Sequence, residues 1–280
     1  MSDERRADWQ LPPGVDPGTW EYVHNRSIAY DYDRYFDGHA LFAWDRELLA
    51  RCFPEVPAGS RTIADLGCGT GRALEFLVER GYDGLAIDLS PLMLEVVRDK
   101  TRAGALPIRR LCANLVELDG VRGGSVDHAV CLFSTLGMIR GRTARRRALE
   151  HIARILVPGG TFVVHVHNLW ANARFPGGLR WLASTWWRSR RDPSWEWGDK
   201  LYAYRGLGRM FLHVFRQHEI EADLRAAGFF VRETMPLDAK LTGPLPRGTW
   251  AARWRASGWT IRCETSTERG GSDRAGTSRR

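Results

Sequence analysis

The stretch "ADLGCGTGR" (64–72) closes an apolar run, "RTIADL" (61–66), and opens into "ALEFLVER" (73–80). It reads as a glycine-rich turn between a buried strand and a helix. Its spacing, Gly67-x-Gly69-x-Gly71, is not the G-x-G-x-x-G of dinucleotide folds. No G-K-[ST] follows, which excludes a phosphate-cradling P-loop. Asp65 stands two residues before the first glycine, at the strand's carboxyl end. A carboxylate there repels a pyrophosphate and suits a ligand that carries positive charge at that end. Asp88 ends the next apolar run, "DGLAID", where a carboxylate accepts hydrogen bonds from both hydroxyls of a ribose.

Outward from this turn, strand and helix patterns alternate. "DGLAID" is a second strand and "SPLMLEVVRDKTRA" a second helix, with Ser90 as its cap and Pro91 at its first position. "PIRRLCA" and "SVDHAVCLF" give strands three and four, "TARRRALEHIARIL" an amphipathic helix stopped by "VPGG", and "TFVVHVH" strand five. Such repeats imply a parallel sheet covered by helices on both faces. After strand five the rhythm breaks. Residues 168–210 read as an irregular Trp/Arg/Gly-rich insertion, followed by a helix at "HEIEADLRAAGF" and two strands at "FFVRETMPL" and "GWTIRC". Upstream, residues 1–19 read as a flexible arm and 20–53 as a helical lid. The polar tail 264–280 reads as disordered, leaving one domain over 20–263.

A site that takes a ribose and a cationic group, and no phosphate, fits S-adenosylmethionine. The residues that make it resemble the class I S-adenosylmethionine-dependent methyltransferases over about 60–168 and again over 217–235. "DLGCGTGR" is similar to that family's first motif, "AIDLSPLML" to its second, and "CANLVEL" to its third. "VDHAVCLFSTL" and "ILVPGGTFVVHV" resemble its fourth strand and the turn before its fifth. The resemblance implies a Rossmann-like α/β fold with a mostly parallel seven-stranded sheet. It also implies S-adenosylmethionine as cofactor, bound by Asp65, Gly67, Gly69, Gly71, Asp88, Leu89, Asn114, Leu115 and Phe133. Within that set, Asp88 holds the ribose, and Asn114 meets the adenine amino group beside the Leu115 backbone. The segment "HVF…HEIE" is similar to the tRNA wobble-uridine methyltransferases, and its surroundings to the quinone-biosynthesis methyltransferases.

Methyl transfer from a sulfonium is a single displacement, so alignment of an acceptor can carry much of the rate. The positions beyond the strands' carboxyl ends are therefore the candidates for acceptor contact. His167 and Asn168, after strand five, are the candidate catalytic pair, with Ser134 and Thr135 after strand four. His165 shares the face of His167 and reads as a core residue. Tyr30, Tyr32 and Tyr35 are candidate lid residues. "FSTLG" stands where amine methyltransferases of DNA carry N/D-P-P-Y/F, so no DNA acceptor is expected.

The formal charge of +8 is uneven: residues 1–135 carry a net −6 and residues 136–280 a net +14. The basic half contains the insertion, whose tryptophans (170, 181, 186, 187, 195, 197) interleave with Arg174, Arg180, Arg188, Arg190 and Arg191. Tryptophans stack bases and guanidiniums bind phosphates, which offers an RNA acceptor beside a small-molecule one. Leu179, Leu182 and Trp186 fall on one helical face, which offers a membrane-surface helix as a third reading. A non-catalytic adenosyl-binding partner subunit is a further alternative. The five scattered cysteines form no C-x-x-C pair, so neither disulfides nor a metal are expected. Without a transmembrane or secretory apolar run, the expectation is a cytoplasmic protein.

Overall fold

A computed structural model describes residues 10–267. The chain opens with three short helices, α1 (Pro17–Val23), α2 (Arg26–Tyr35) and α3 (Ala40–Cys52). The sequence suggests one helical run over 20–53, but local caps divide it. The Asp16 carboxylate accepts from the Gly18 amide, and Asn25 accepts from Ile28. Gly38, at φ +70°, turns the chain between α2 and α3. Residues 10–19 differ from the expected loose arm. Arg140 pairs with Asp16 at 2.9 Å, its amide bonds the Gly14 carbonyl, and the Asn114 amide donates to the Pro13 carbonyl. Residues 1–9 lie outside the described residues.

The alternating core then runs β1 (Thr62–Leu66), α4 (Arg72–Glu79), β2 (Asp83–Asp88), α5 (Pro91–Gly104), β3 (Ile108–Cys112), β4 (Val126–Cys131), α6 (Arg142–Ile155) and β5 (Leu156–His167). Ser90 caps α5 through the Met93 amide, with Pro91 in its first turn. β5 starts at the first residue after α6, so "VPGG", expected as a turn, lies within the strand. The insertion is ordered. It contains α7 (Gly178–Arg191) and a hairpin of β6 (Asp199–Tyr204) and β7 (Leu207–His213), turned at Arg205–Gly206. The chain finishes with α8 (Gln217–Ala226), β8 (Phe229–Pro236), α9 (Ala252–Arg255) and β9 (Gly258–Thr265). Glu264 and Thr265, expected in the disordered tail, belong to β9, and residues 268–280 lie outside the described residues.

The main sheet has seven strands in the order β3-β2-β1-β4-β5-β9-β8. β1 to β5 pair in parallel, and β9 runs antiparallel to both β5 and β8. Each face of the sheet is sealed by its own apolar layer. Leu149, Ile152 and Leu224 belong to one layer, with Phe162 from β5; Leu48, Leu74 and Val97 belong to the other, with Ile63 from β1. Strand order reverses at β1 and β4, and the crevice beyond their carboxyl ends is where such sheets take ligands. Among the described residues no helix is long and apolar enough to cross a membrane.

Candidate functional site

A cavity of about 210 Å³ occupies that crevice. Its floor is the glycine loop. Gly67 sits at φ +74°, and a Cβ there would stand 2.2 Å from Thr135 Cγ2, so only glycine lets the loop pass beneath β4's exit. The Gly67 and Cys68 amides donate to the Ile87 carbonyl, and the Gly69 amide donates to Asp88 Oδ2 at 2.8 Å. Asp88 Oδ1 accepts from the Ser90 amide at 2.8 Å. Asp88 therefore ties two loops together, and each carboxylate oxygen keeps a second lone pair for a ligand. Gly71, at φ +82°, opens α4 and lies outside the cavity wall; its role is to turn the chain.

Asp65 is 3% exposed and lines the cavity, yet its carboxylate makes no hydrogen bond among the described residues. Burial lifts its pKa to about 7, with Arg72 opposing and Asp88 and Asp45 adding. Burial likewise lifts Asp88 to about 6 against the amides of Ser90, Gly69 and Leu89. One buried and one half-buried carboxylate, both held above their ordinary range, mark a site prepared for a cationic ligand. This donor set fits a ribose with a sulfonium-bearing methionyl group and fits a pyrophosphate poorly.

Eight of the nine cofactor residues expected from the sequence meet at this cavity: Asp65, Gly67, Gly69, Asp88, Leu89, Asn114, Leu115 and Phe133 line it. Asn114 is partly committed elsewhere. Its Oδ1 caps the following turn through the Val116 amide, and its Nδ2 donates to the Pro13 carbonyl. Phe133 and Ser134 both adopt left-handed backbone (φ 52° and 65°), a strained pair of the kind found where a chain is aimed at a ligand.

The two candidate catalytic residues part company. His167 lines the cavity at the end of β5, and its amide donates to Ser134 Oγ at 3.3 Å. Burial, with Lys200 nearby, lowers its pKa to about 4, so the imidazole is neutral at pH 7. Asn168 lies outside the cavity. It is fully buried, its Nδ2 donates to the Arg253 and Ala256 carbonyls, and its Oδ1 accepts from the Trp170 amide. These bonds fix the corner after β5. His165 is fully buried against the His167 ring, with both ring nitrogens unpartnered. Of the candidate lid tyrosines only Tyr32 lines the cavity; Tyr30 and Tyr35 are exposed.

The helical lid expected over 20–53 is only part of the roof. Gly14, Val15, Thr19, Tyr22 and Val23 close the cavity from the amino-terminal side, and Tyr202, Tyr204, Met210 and Leu212 of the hairpin close it from the other. The two halves meet: a Cβ on Gly18 would stand 1.5 Å from the Arg209 carbonyl oxygen, so α1 lies flush on β7. Arg205 stacks over Tyr35 and donates to the Ile28 carbonyl. Thr19 Oγ1 is buried without a partner and faces this space. The insertion's tryptophans do not line the cavity, whereas Tyr202, Tyr204 and Met210 of the same insertion do. The hairpin was signalled by the alternation "LYAY" before the turn "RG", a pattern masked by the surrounding Trp/Arg composition.

The hairpin's root is clamped by buried charge. His213 is fully buried, with Nδ1 2.7 Å from Asp199 and Nε2 3.0 Å from Glu219. Arg145, 1% exposed, bonds Glu196, and Arg216 bonds Glu219.

Residues 63–160 match the sequence model of a family described as a methyltransferase domain. The chain is 27% identical over 142 residues to a protein of Geobacillus sp. (strain WCH70) named as a methyltransferase, an alignment covering 51% of this chain and 57% of that one. It superposes on a solved S-adenosylmethionine-dependent methyltransferase of Methanosarcina mazei with a TM-score of 0.62 at 18% identity, over 79% of this chain and 98% of that one. A TM-score of 0.56 at 18% identity relates it to the 1,6-didemethyltoxoflavin-N1-methyltransferase of Burkholderia thailandensis, solved with S-adenosylhomocysteine, over 91% and 93%. The chain spans about half the length of the curated relatives it matches. Their names include a ubiquinone biosynthesis O-methyltransferase and a tRNA methyltransferase. The fold is that of the class I methyltransferases. Residues 63–160 match a methyltransferase domain, and the solved structures that share the fold include S-adenosylmethionine-dependent methyltransferases.

Proposed function

We propose that this chain is an S-adenosylmethionine-dependent methyltransferase whose acceptor is a small molecule held under the roof. The observation that carries the reading is the Asp65–glycine loop–Asp88 floor beneath a covered cavity. S-adenosylmethionine supplies an electrophilic methyl group on a sulfonium. Asp88 accepts the ribose hydroxyls while keeping its bond to Gly69. Asp65 offers its unpartnered carboxylate to the cationic methionyl end. Leu89 and Leu115 would hold the adenine, with Gly14 and Thr19 on the same cavity wall.

On the acceptor side, His167, Ser134, Tyr202, Tyr204 and Met210 shape the remaining space. His167 presents a neutral imidazole that orients an acceptor hydroxyl or amine toward the methyl group and takes its hydrogen bond. Burial and Lys200 disfavour the imidazolium, so its role is alignment more than strong proton abstraction. The closed roof excludes water, which suits a reactive sulfonium.

The second reading, an RNA acceptor, draws on the +14 charge of residues 136–280. It requires a nucleobase to pass between α1–α2 and the hairpin. A third, a non-catalytic partner subunit, requires ligand binding without turnover. Transfer of labelled methyl groups into a lysate, with and without prior ribonuclease, separates them. Label that survives ribonuclease and enters a small-solute or organic fraction is the expected result. Label in a polynucleotide that ribonuclease removes assigns RNA, and tight cofactor binding with no label in any fraction assigns a partner subunit.

A further inference from the structure

Large apolar side chains on the exterior are concentrated in two segments that pack on one turn. Of the eight that stand exposed among the described residues, five come from two segments: Phe175, Leu179 and Trp187 around α7, and Trp250 and Trp254 around α9. Trp250 is 85% exposed and Leu179 69%. The two segments are bolted to the same turn, residues 169–174. The Trp170 ring lies 4.1 Å from that of Trp254, and Arg174 donates to the Arg255 carbonyl.

The same segments are free of acid. Residues 169–191 contain five arginines and residues 239–263 four arginines and a lysine, with no Asp or Glu in either. Arg180, Arg190, Arg191, Arg253 and Arg255 have no carboxylate partner among the described residues. Three of them lie against tryptophan instead: Arg190 on Trp186, Arg191 on Trp187 and Arg253 on Trp254.

The helical face expected to meet a membrane, Leu179–Leu182–Trp186, is not what α7 presents. Leu182 is buried against Leu169 and Val214, and Trp186 is half-buried. The outward stripe is Arg180, Ala183, Trp187 and Arg191, flanked by Leu179 and Arg188. Exposed tryptophan and leucine among unpaired arginines have the composition of a surface that seats its rings at the headgroup level and its guanidiniums on lipid phosphates. Exposed rings can stack bases, but a nucleic-acid face would gain nothing from Leu179 in water.

We propose that the α7–α9 face docks on an anionic phospholipid surface. This docking is independent of the cavity: apart from His167, no residue of 167–191 or 239–263 lines it. The test is flotation of the full chain with vesicles of phosphatidylcholine alone and with about a third phosphatidylglycerol, followed by variants R180Q/R191Q and W187S/W250S. Binding to the anionic vesicles only is expected, weakened about tenfold or more by either double variant. Trp187 and Trp250 fluorescence should be quenched by brominated lipid. S-adenosylhomocysteine affinity should not move in either variant, which shows that the fold is intact. Failure to float with anionic vesicles overturns the proposal, as does flotation that both variants retain. Tight binding to poly(U), lost in R180Q/R191Q and without vesicle binding, also overturns it and gives the face to nucleic acid.

Discussion

Asp65 and Asp88 carry the most specific chemistry in the molecule, and both were legible from spacing around the glycine loop. Their titration was not, because it depends on how deeply the loop is roofed. A buried carboxylate whose pKa is raised favours the protonated protein, so the free protein loses stability from these groups as pH rises from about 4 toward 7. A cationic ligand needs them ionised, so its binding runs the opposite way. S-adenosylmethionine affinity should rise about tenfold per pH unit between pH 6 and 7, more steeply below pH 6 where both carboxylates are protonated, and level off above pH 7, by calorimetry across pH 5 to 8. D88A should weaken binding about tenfold or more at pH 8, since at least one charge-assisted bond is lost. A flat pH profile would remove the carboxylates from the cofactor site. Asn168 shows the limit of reading single residues: its position after β5 suggests chemistry, and only the fold reveals that its amide is consumed by the Arg253 and Ala256 carbonyls.

At the level of elements, the alternating strands and helices from Thr62 to His167 were readable because apolar periodicity and caps agree there. The hairpin was not, because its short alternation sits among Trp- and Arg-rich residues that mask the strand pattern. What fixes it is the charge cluster at its root. Burial pulls the His213 pKa down and Arg145 adds to this, yet its bonds to Asp199 and Glu219 leave it raised overall. Burial raises Glu219 too, and the His213 contact overrides that and brings it to about 2. A histidine raised on folding contributes stability that is complete below its unfolded pKa, about 6.5, and is lost as pH rises through the folded value. H213Q leaves Asp199 and Glu219 facing each other without a cation between them. Urea unfolding should show the wild type more stable at pH 6 than at pH 9 from this group. H213Q should be lower by about 3–5 kcal/mol at pH 6 and less dependent on pH above 6. Equal midpoints for the two proteins at pH 6 would show that the clamp does not hold the hairpin.

In the whole molecule, the cavity is closed by segments from opposite ends of the chain, residues 14–36 before the sheet and 202–212 after β5. Neither end alone encloses a ligand, and α1 touches β7 so closely that Gly18 has no room for a methyl group. α2 is further tied to the floor, since Asp33 accepts from Thr70 in the glycine loop and pairs with Lys100 of α5. A ligand between floor and roof therefore consolidates three parts of the chain at once. At one hundred times its dissociation constant, S-adenosylhomocysteine should stabilise the fold by about 2.7 kcal/mol. For a domain of this size that raises the melting midpoint by about 5–10 °C. The roof should respond before the core. Tryptic cleavage at Arg26 and Arg34, on α2, should slow at least tenfold with ligand at 25 °C, where the sheet stays folded. G18A, which lifts α1 from β7, should lose most of that protection while keeping Asp65 and Asp88 in place. If G18A protects as well as the wild type, α1 and the hairpin close independently, and the cavity is roofed by two separate lids instead of one.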